Sequence, residues 1–197
     1  MTQPIGLLAL QGDFARHAAA LDRLGAPWRL VRRAAELAEC AGLIIPGGES
    51  TTLTRLVDRG GLREPLLAFA ARRPVLGTCA GLIMLATRLD GEAPRHGVLP
   101  LGLIDCLVQR NGYGRQIDSF SDDIDLSPLD GDGAPFPAVF IRAPRILATG
   151  PACEVLGTRR GEPVAVREGL AWGVTFHPEL TENPRLHARF AASCAEA

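Results

Sequence analysis

The segment Pro74-Val75-Leu76-Gly77-Thr78-Cys79-Ala80-Gly81 decides the fold, because it joins a short apolar strand to an apolar helix through one cysteine. Glycines on both sides of Cys79 allow a tight, strained turn between the two elements. This pattern is typical of a nucleophile elbow, with Cys in place of the more familiar Ser. A helix is expected from Ala80 to Leu89, and its N-terminus would stabilise a thiolate and offer N–H groups to an oxyanion. A buried cysteine between two packing glycines is the alternative interpretation.

The same alternation of strand and helix extends over the first 90 residues. Short apolar runs predict strands, and amphipathic spacing predicts the helices between them. Strands are expected at Ile5–Leu10, Pro27–Val31, Gly42–Ile45 and Pro74–Leu76. Helices are expected from Asp13 to about Leu24, after a Ser50 or Thr51 cap, and at Leu62–Ala71, with a short helix or turn at Ala34–Cys40. This order predicts an α/β fold with an open, mainly parallel sheet and helices on both faces.

The remainder of the chain has a different texture, since glycine and proline become frequent after Gly91. Short apolar segments predict strands of an antiparallel or mixed region, and the last stretch predicts a helix. The strands are expected at Leu103–Val108, Ala138–Ile141, Glu154–Gly157, Val164–Arg167 and Ala171–Phe176, and the helix at Pro184–Ala195. The acidic run from Asp118 to Asp132 is interpreted as a solvated loop. We expect a single domain over residues 1–197.

Composition excludes several classes of function. The 21 basic and 22 acidic residues give a net charge of −1, which provides no electrostatic case for binding nucleic acid or an anionic membrane. All basic residues are Arg, so Schiff-base chemistry on a lysine and a P-loop are both excluded. The N-terminus has no basic region of the kind found in signal peptides, and no apolar run approaches 18 residues.

Cysteine and histidine spacing gives no metal site. No CxxC pair and no cluster with metal-ligand spacing is present, so no metal is expected. An odd number of cysteines, scattered along the chain, is typical of a reduced, cytoplasmic protein. Apart from Cys79, the cysteines are interpreted as small core or surface residues: Cys40, Cys106, Cys153 and Cys194. His17, His96 and His187 are expected at the surface or on helices.

A second reactive segment is Phe176-His177-Pro178-Glu179, which follows a predicted strand. Pro178 disfavours a helical conformation at His177, so the segment is expected to be extended. Residues two apart in an extended segment lie on one side, which lets Glu179 reach one ring nitrogen of His177 while the other nitrogen faces a nucleophile. That pair is a general base with its orienting group. A surface histidine beside a proline turn is the alternative, and the cysteine elbow argues against it.

A third segment, Pro46-Gly47-Gly48-Glu49-Ser50, lies between a predicted strand and a predicted helix. It falls at the carboxyl end of the sheet, where open α/β folds bind ligands. Its glycines let backbone amides approach a small polar ligand or a developing oxyanion. The alternative is a structural turn with a serine cap.

Together these segments resemble the class I, or triad, glutamine amidotransferases, which have a flavodoxin-like fold. The resemblance extends over nearly the whole chain through the motifs LALQGD, PGGEST, GTCAG and FHPELT, in this order. Two further segments, RNGYGRQIDSF at 110–120 and VFIRAP at 139–144, narrow it to the glutaminase subunits of pyridoxal 5′-phosphate synthase. Gly112 stands where a less flexible small residue is expected.

The resemblance implies that the chain hydrolyses the side-chain amide of glutamine to glutamate and ammonia. In that reaction Cys79 is the nucleophile, His177 transfers protons and Glu179 orients the imidazole. The resemblance also implies an oxyanion site that involves Gln11 and Ala80, and a glutamine pocket formed by Gly48, Glu49, Ser50, Arg110, Ile141 and Arg142. An arginine suits the substrate carboxylate, whereas Glu49 suits its ammonium group or, alternatively, holds a loop.

A partner is implied as well, because free ammonia is mostly protonated near neutral pH and is then a poor nucleophile. The resemblance implies a hetero-oligomeric complex with a (β/α)₈ synthase subunit, which receives the ammonia and activates the glutaminase on docking. Pyridoxal 5′-phosphate is then the product of the complex, and no cofactor is expected on this chain.

Three other functions stay open at this point. The chain could serve a different synthase, such as one of histidine biosynthesis, although the RNGYGRQ and FIRAP segments argue against this. It could be a cysteine hydrolase or peptidase on a similar scaffold, which leaves PGGES unexplained. It could also be a non-catalytic binding or regulatory subunit, which the intact Cys79, His177 and Glu179 argue against.

Overall fold

The computed structural model describes residues 3–90, 97–113 and 119–196. The first half alternates strands and helices as β1 (Ile5–Leu8), α1 (Phe14–Arg23), β2 (Trp28–Val31), α2 (Ala34–Leu37), β3 (Gly42–Ile45), α3 (Ser50–Arg59), α4 (Arg63–Ala70), β4 (Val75–Thr78) and α5 (Ala80–Leu85). The second half contains β5 (Ala86–Asp90), β6 (Ile104–Gln109), β7 (Ser119–Ile124), α6 (Ser127–Asp130), β8 (Phe136–Ile141), β9 (Arg145–Thr149), β10 (Glu154–Arg159), β11 (Glu162–Glu168), β12 (Ala171–Val174), a 3₁₀ turn (Pro178–Leu180) and α7 (Arg185–Glu196).

Seven strands form the main sheet in the order β10-β11-β12-β4-β3-β1-β2. The five strands from β12 to β2 are parallel, and β11 and β10 extend the sheet by antiparallel pairing. Strands β1, β3, β4 and β12 are buried at every position, as expected where helices cover both faces of a parallel sheet. The predicted open, mainly parallel α/β sheet is therefore confirmed.

The alternation of side chains along the strands divides the core into two clusters, one on each face of the sheet. Leu8 of β1 and Leu43 of β3 pack in one cluster together with Leu82 of α5. Leu7 and Ile44, the adjacent residues on the same strands, pack in the other cluster with residues of α1 and α7. Both clusters are made almost entirely of fully buried aliphatic and aromatic side chains, which fixes the strand ends that carry the site.

From α5 onward, the structure departs from the prediction in three places. The helix expected over Ala80–Leu89 ends at Leu85, and the chain continues as β5, which pairs with β6. Every residue of α5 is buried. The helix therefore lacks the alternation of polar and apolar residues that would show in the sequence where it ends. The acidic run is not a loop in its described part, because β7 and α6 lie within it and β7 pairs with β8. Strand β9, which pairs with β6, was also not predicted.

Asp13 occupies the N-cap position of α1, as predicted, but its side chain makes no capping hydrogen bond. It forms an ion pair with Arg16 instead, at 3.2 Å.

Within the described ranges, no helix is both long and apolar enough to cross a membrane.

Candidate active site

The carboxyl ends of four adjacent parallel strands build the site. In the order β12-β4-β3-β1, these ends are followed by His177, Cys79, the Gly47–Ser50 loop and Gln11. Because parallel strands end at the same edge of a sheet, residues far apart in sequence are brought side by side. The ends of strands β6 and β8, in the smaller sheets, add Arg110 and the Ile141–Arg142 pair to the same cavity.

Cys79 lies on the strained turn that the sequence predicts. Its backbone has φ 49° and ψ −103°, a conformation that non-glycine residues rarely adopt unless their surroundings impose it. Its N–H donates to the Val174 carbonyl at 2.9 Å, which ties the turn to β12. A Cβ on Gly77 would lie 2.5 Å from the Gly81 carbonyl carbon, and one on Gly81 would lie 2.1 Å from the Ile45 carbonyl oxygen. The two glycines therefore let the backbones of β4, α5 and β3 approach closely.

His177 and Glu179 form the predicted pair, although not by the predicted geometry. His177 is not helical, as predicted, with φ −108° and ψ 88°. A 3₁₀ turn begins at Pro178, however, so the segment as a whole is not extended and Glu179 reaches the imidazole from that turn. The Nδ1 atom of His177 lies 2.7 Å from Oε1 of Glu179. A Cβ on Gly47 would lie 2.4 Å from Cε1 of His177 and 3.3 Å from Cβ of Cys79. Gly47 thus leaves the space in which the imidazole approaches the thiol.

Electrostatics reinforce this arrangement. Burial lowers the pKa of His177, but hydrogen bonds to Cys79 and Glu179, with the charges of both groups, outweigh it and raise the pKa to about 10. Burial raises the pKa of Glu179, yet its contacts with His17 and His177 outweigh that effect and the pKa is lowered overall. The site thus favours a protonated His177 held beside a charged Glu179, ready to give a proton to a leaving group.

A cavity of about 140 Å³ opens beside Cys79. Its volume is well below the roughly 300–1,000 Å³ of drug-sized sites and suits a ligand of amino-acid size. The lining contains all predicted pocket residues, the thiol and the imidazole, namely Gly48, Glu49, Ser50, Cys79, Ala80, Arg110, Ile141, Arg142 and His177. Ile83 and Asn111 also line it and were not predicted. Ile83 lies one helical turn after Cys79, a spacing from which its position could have been inferred.

Strained backbone concentrates at this cavity. Among the described residues, four that are not glycine have positive φ, and three of them, Cys79, Asn111 and Arg142, line the cavity. The fourth, Arg160, lies in the turn between β10 and β11. Such clusters are typical of functional sites, where the surrounding packing holds the backbone in a costly conformation. Gly112 follows Asn111, and a Cβ there would lie 2.6 Å from Cβ of Arg145, which explains the glycine.

Glu49 holds a loop, which is the second of its two predicted roles. Its carboxylate accepts hydrogen bonds from the N–H groups of Thr51 (3.2 Å) and Thr52 (2.7 Å), so it caps α3. The prediction that Ser50 or Thr51 is the cap was therefore wrong. Glu49 also accepts a hydrogen bond from Nη2 of Arg110 at 3.0 Å. Burial raises the pKa of Glu49, but the hydrogen bonds from Thr52 and Thr51 outweigh it and lower the pKa.

Gln11 lies behind the Gly48 backbone and does not line the cavity. Its Oε1 accepts a hydrogen bond from the Glu49 N–H at 3.0 Å. A Cβ on Gly48 would lie 2.3 Å from Oε1 of Gln11, so only glycine lets the carboxamide pack there. The Nε2 atom of Gln11 is buried and has no hydrogen-bond partner in the part of the chain that the structure describes.

His17 and His187 lie on helices, which is one of the two places expected for them. Both are buried, with 0% and 1% exposure. His17 lies next to Glu179, so it belongs to the surroundings of the site. Its spacing to Leu21 and Leu24 matches one helical face, a signal that could have predicted its burial. His96 and residues 114–118 of the RNGYGRQIDSF segment lie outside the described residues.

The remaining cysteines are buried, as small core residues are. Burial raises the pKa of the Cys40 and Cys153 thiols to about 11 and of the Cys106 and Cys194 thiols to about 12. Thiols with such values are poor nucleophiles at neutral pH.

Two larger cavities, of about 350 and 460 Å³, lie elsewhere. Neither is lined by a histidine or a carboxylate among the described residues. Chemistry rather than size therefore identifies the site beside Cys79. No group of three or more His, Cys, Asp or Glu side chains within the described ranges is placed to hold a metal ion.

The fold and this geometry define an α/β protein in which a thiol, an imidazole and a carboxylate are arranged as in cysteine-dependent hydrolases. The sequence profile of the SNO glutamine amidotransferase family matches residues 7–196. The chain therefore belongs to the SNO glutamine amidotransferase family.

Relatives match over almost the same length. A Deinococcus radiodurans protein named "Pyridoxal 5'-phosphate synthase subunit PdxT" is 50% identical over 194 residues, covering 98% of this chain and 97% of the relative. A protein of that name from Acidothermus cellulolyticus is 52% identical over 197 residues, covering 97% and 93%. A solved structure titled "Crystal structure of glutamine amidotransferase" matches with a TM-score of 0.89 at 40% identity, covering 96% of this chain and 98% of that chain. The predicted glutamine amidotransferase fold is confirmed by this last match.

Proposed function

We propose that the chain is the glutaminase subunit of a pyridoxal 5′-phosphate synthase, which hydrolyses L-glutamine and delivers the ammonia to a synthase subunit. One observation carries the proposal: a cavity of amino-acid size has Cys79 and His177 in its wall and two arginines, Arg110 and Arg142, in the same lining. The names and the identity of the full-length relatives support the same function and the same kind of partner.

The proposed reaction begins when the Cys79 thiolate adds to the side-chain carbonyl of glutamine. The tetrahedral oxyanion is held by backbone N–H groups, of which that of Ala80 follows the nucleophile directly. Protonated His177 gives its proton to the amine, and ammonia leaves as the thioester forms. Neutral His177 then takes a proton from water, the hydroxide attacks the thioester, and glutamate leaves with regeneration of the thiolate. Glu179 keeps the imidazole oriented and stabilises its charged form throughout.

Recognition of the substrate falls to the rim of the cavity. Arg110 is already paired with Glu49, whereas Arg142 makes no ion pair with any described residue. We therefore assign the substrate α-carboxylate to Arg142, through a bidentate hydrogen bond. Gly48, Ser50 and Ile141 supply the remaining contacts, and Ser50 has a buried hydroxyl without a partner among the described residues.

The partner is proposed to be a (β/α)₈ synthase subunit in a hetero-oligomeric, cytoplasmic complex. Gln11 supports a role for the partner in activation, because its buried Nε2 is a donor without an acceptor in the described structure. A small shift of the Gly48 loop on docking would turn that donor toward the oxyanion. No cofactor is assigned to this chain, since pyridoxal 5′-phosphate is the product of the complex.

The decisive experiment measures glutamate release from glutamine by the chain, with and without its co-expressed synthase. Release should rise with the partner and vanish in Cys79→Ala, while the matched variant Cys40→Ala keeps it. Synthesis from an added ammonium salt should survive in Cys79→Ala, which shows that the synthase is active, and co-purification of the two subunits shows that the complex is intact. Release that persists in Cys79→Ala contradicts the assignment of the nucleophile. No release from a proven complex contradicts the glutaminase function and favours a binding or regulatory subunit.

A further inference from the structure

A second pair of ionisable side chains lies behind the proposed catalytic residues, on the side of Glu179 that faces away from His177. The Nε2 atom of His17 lies 3.4 Å from Oε2 of Glu179, and both side chains are completely buried. The Nδ1 atom of His17 lies 3.0 Å from Nε2 of His187. Helices α1 and α7 thus place the His17 imidazole between the Glu179 carboxylate and the His187 imidazole.

The hydrogen-bond inventory decides which nitrogen of His17 carries the proton. Oε2 of Glu179 is buried and has no regular hydrogen-bond partner among the described residues, and His17 Nε2 lies 3.4 Å from it. The same nitrogen lies 3.3 Å from Oγ1 of Thr78, which accepts from the Gly47 N–H at 3.0 Å. A buried charged oxygen without a donor is more costly than a hydroxyl that shares one. The tautomer with the proton on Nε2 is therefore favoured.

His187 completes the arrangement. With the proton of His17 on Nε2, its Nδ1 is an acceptor, and His187 Nε2–H donates to it across 3.0 Å. Burial, followed in size by the repulsion of His17, lowers the pKa of His187 to about 3, so it is a neutral donor. Burial also lowers the pKa of His17, against the attraction of Glu179 and Asp13 and with the repulsion of His177. His17 and His187 are therefore two neutral imidazoles on the side of the charged Glu179 that faces away from His177.

We propose that His17 is a positioning residue for the reaction, which holds Oε2 of Glu179 so that Oε1 stays on His177. This inference rests on the proposed glutaminase function. The contact of 3.4 Å is longer than a strong hydrogen bond, and such bonds often tighten only when substrate binds. Without His17, Glu179 would keep one partner and could rotate or take up a proton, and either change would loosen the imidazole.

The test compares three variants in the complete complex with the synthase subunit. His17→Leu removes the donor, His17→Gln keeps an N–H near the position of Nε2, and Ala18→Gly loosens the same helix without touching Glu179. His17→Leu should lower kcat for glutamine roughly 10- to 100-fold with little change in KM, by analogy with the partners that orient histidine ligands in metal sites. His17→Gln should restore most of the rate, and Ala18→Gly should keep it.

The pH profile separates positioning from simple packing. A neutral N–H donor favours the charged form of a carboxylate, so loss of His17 should raise the pKa of Glu179. The acid limb of kcat/KM should then move to higher pH in His17→Leu and return in His17→Gln. A folded, assembled His17→Leu complex with the wild-type kcat and acid limb overturns the proposal. The same loss and the same pH shift in Ala18→Gly also overturn it, because packing of α1 would then be sufficient.

A spectroscopic measurement keeps this inference separable from the proposed function. Imidazole ¹⁵N NMR of the wild-type chain should show His17 protonated at Nε2 and bare at Nδ1. The opposite tautomer overturns the proposal even if the enzyme behaves as expected, and it also decides the case if His17→Leu fails to fold. Absence of glutamine hydrolysis in the wild-type complex, with the expected His17 tautomer, contradicts the glutaminase function alone.

Discussion

Two glutamates belong to the site, one in the cavity wall and one behind His177, and the structure uses them in opposite ways. Glu179 is 4% exposed and is enclosed by His177 and His17. Glu49 lies at the exposed rim, where it caps α3 and pairs with Arg110. Both have a lowered pKa, but histidine contacts lower it in Glu179 and backbone N–H groups lower it in Glu49. A buried carboxylate can therefore control the charge of a reactive group, whereas an exposed one mainly fixes a loop.

The largest effect is expected from Glu179→Gln. The amide keeps the size of the side chain but favours the wrong tautomer of His177 and no longer stabilises its charged form. Glutamine hydrolysis by the complex should fall by roughly 10⁴-fold, as when the orienting carboxylate of a serine protease triad is replaced by its amide. Steady-state glutamate release measures this, and co-purification with the synthase subunit serves as the control for assembly. A loss below tenfold would mean that Glu179 does not orient His177.

Parts of this site could be predicted from the sequence where a residue's position depends on local signals, and could not where it depends on contacts with residues far away in the chain. The apolar runs of β3 and β4 are bounded by glycine and proline, so the strand ends that carry Cys79 and Glu49 could be predicted from local signals. The pairing of His177 with Glu179 was also predicted, although its 3₁₀ geometry was not. The contact of His17 with Glu179 joins residues 162 positions apart by packing of α1, and no local pattern specifies such a contact. Positive φ at Asn111 and Arg142 likewise depends on tertiary packing.

The buried groups around Glu179 should also make the stability of the folded chain depend on pH. His187 has a folded-state pKa of about 3, and its unfolded pKa is near 6.5. Above pH 6.5 both states are neutral, and below it the unfolded chain binds a proton that the folded chain rejects. Stability is therefore lost as pH falls from about 6.5 toward 3, by at most about 1.4 kcal/mol per pH unit for this one group. Glu179, with its lowered pKa, adds a loss in the same direction at lower pH.

Chemical unfolding of the chain at a series of pH values from 7 to 4 measures this dependence. In His187→Gln the side chain still donates toward His17 but does not titrate, so the slope below pH 6.5 should be smaller than in the wild type. An unchanged slope would show that His187 is protonated in the folded chain or that another group dominates acid unfolding.

The smallest effect is expected at the exposed glutamate. Glu49→Ala removes the acceptor for the Thr51 and Thr52 N–H groups, so α3 loses its cap and the free energy of unfolding should fall by about 1 kcal/mol. Glu49→Gln keeps an acceptor oxygen and should lose less than half of that, while it weakens the hold on Arg110. Denaturant unfolding of both variants at pH 7 compares their free energies of unfolding, and the KM for glutamine reports whether Arg110 has moved.

If Glu49→Gln raises KM as much as Glu49→Ala while stability differs, the charge of Glu49 serves the substrate pocket and the cap is a separate function. If KM stays constant in both variants, Glu49 is a structural cap, and Arg142 is left to bind the α-carboxylate without help from the Glu49–Arg110 pair.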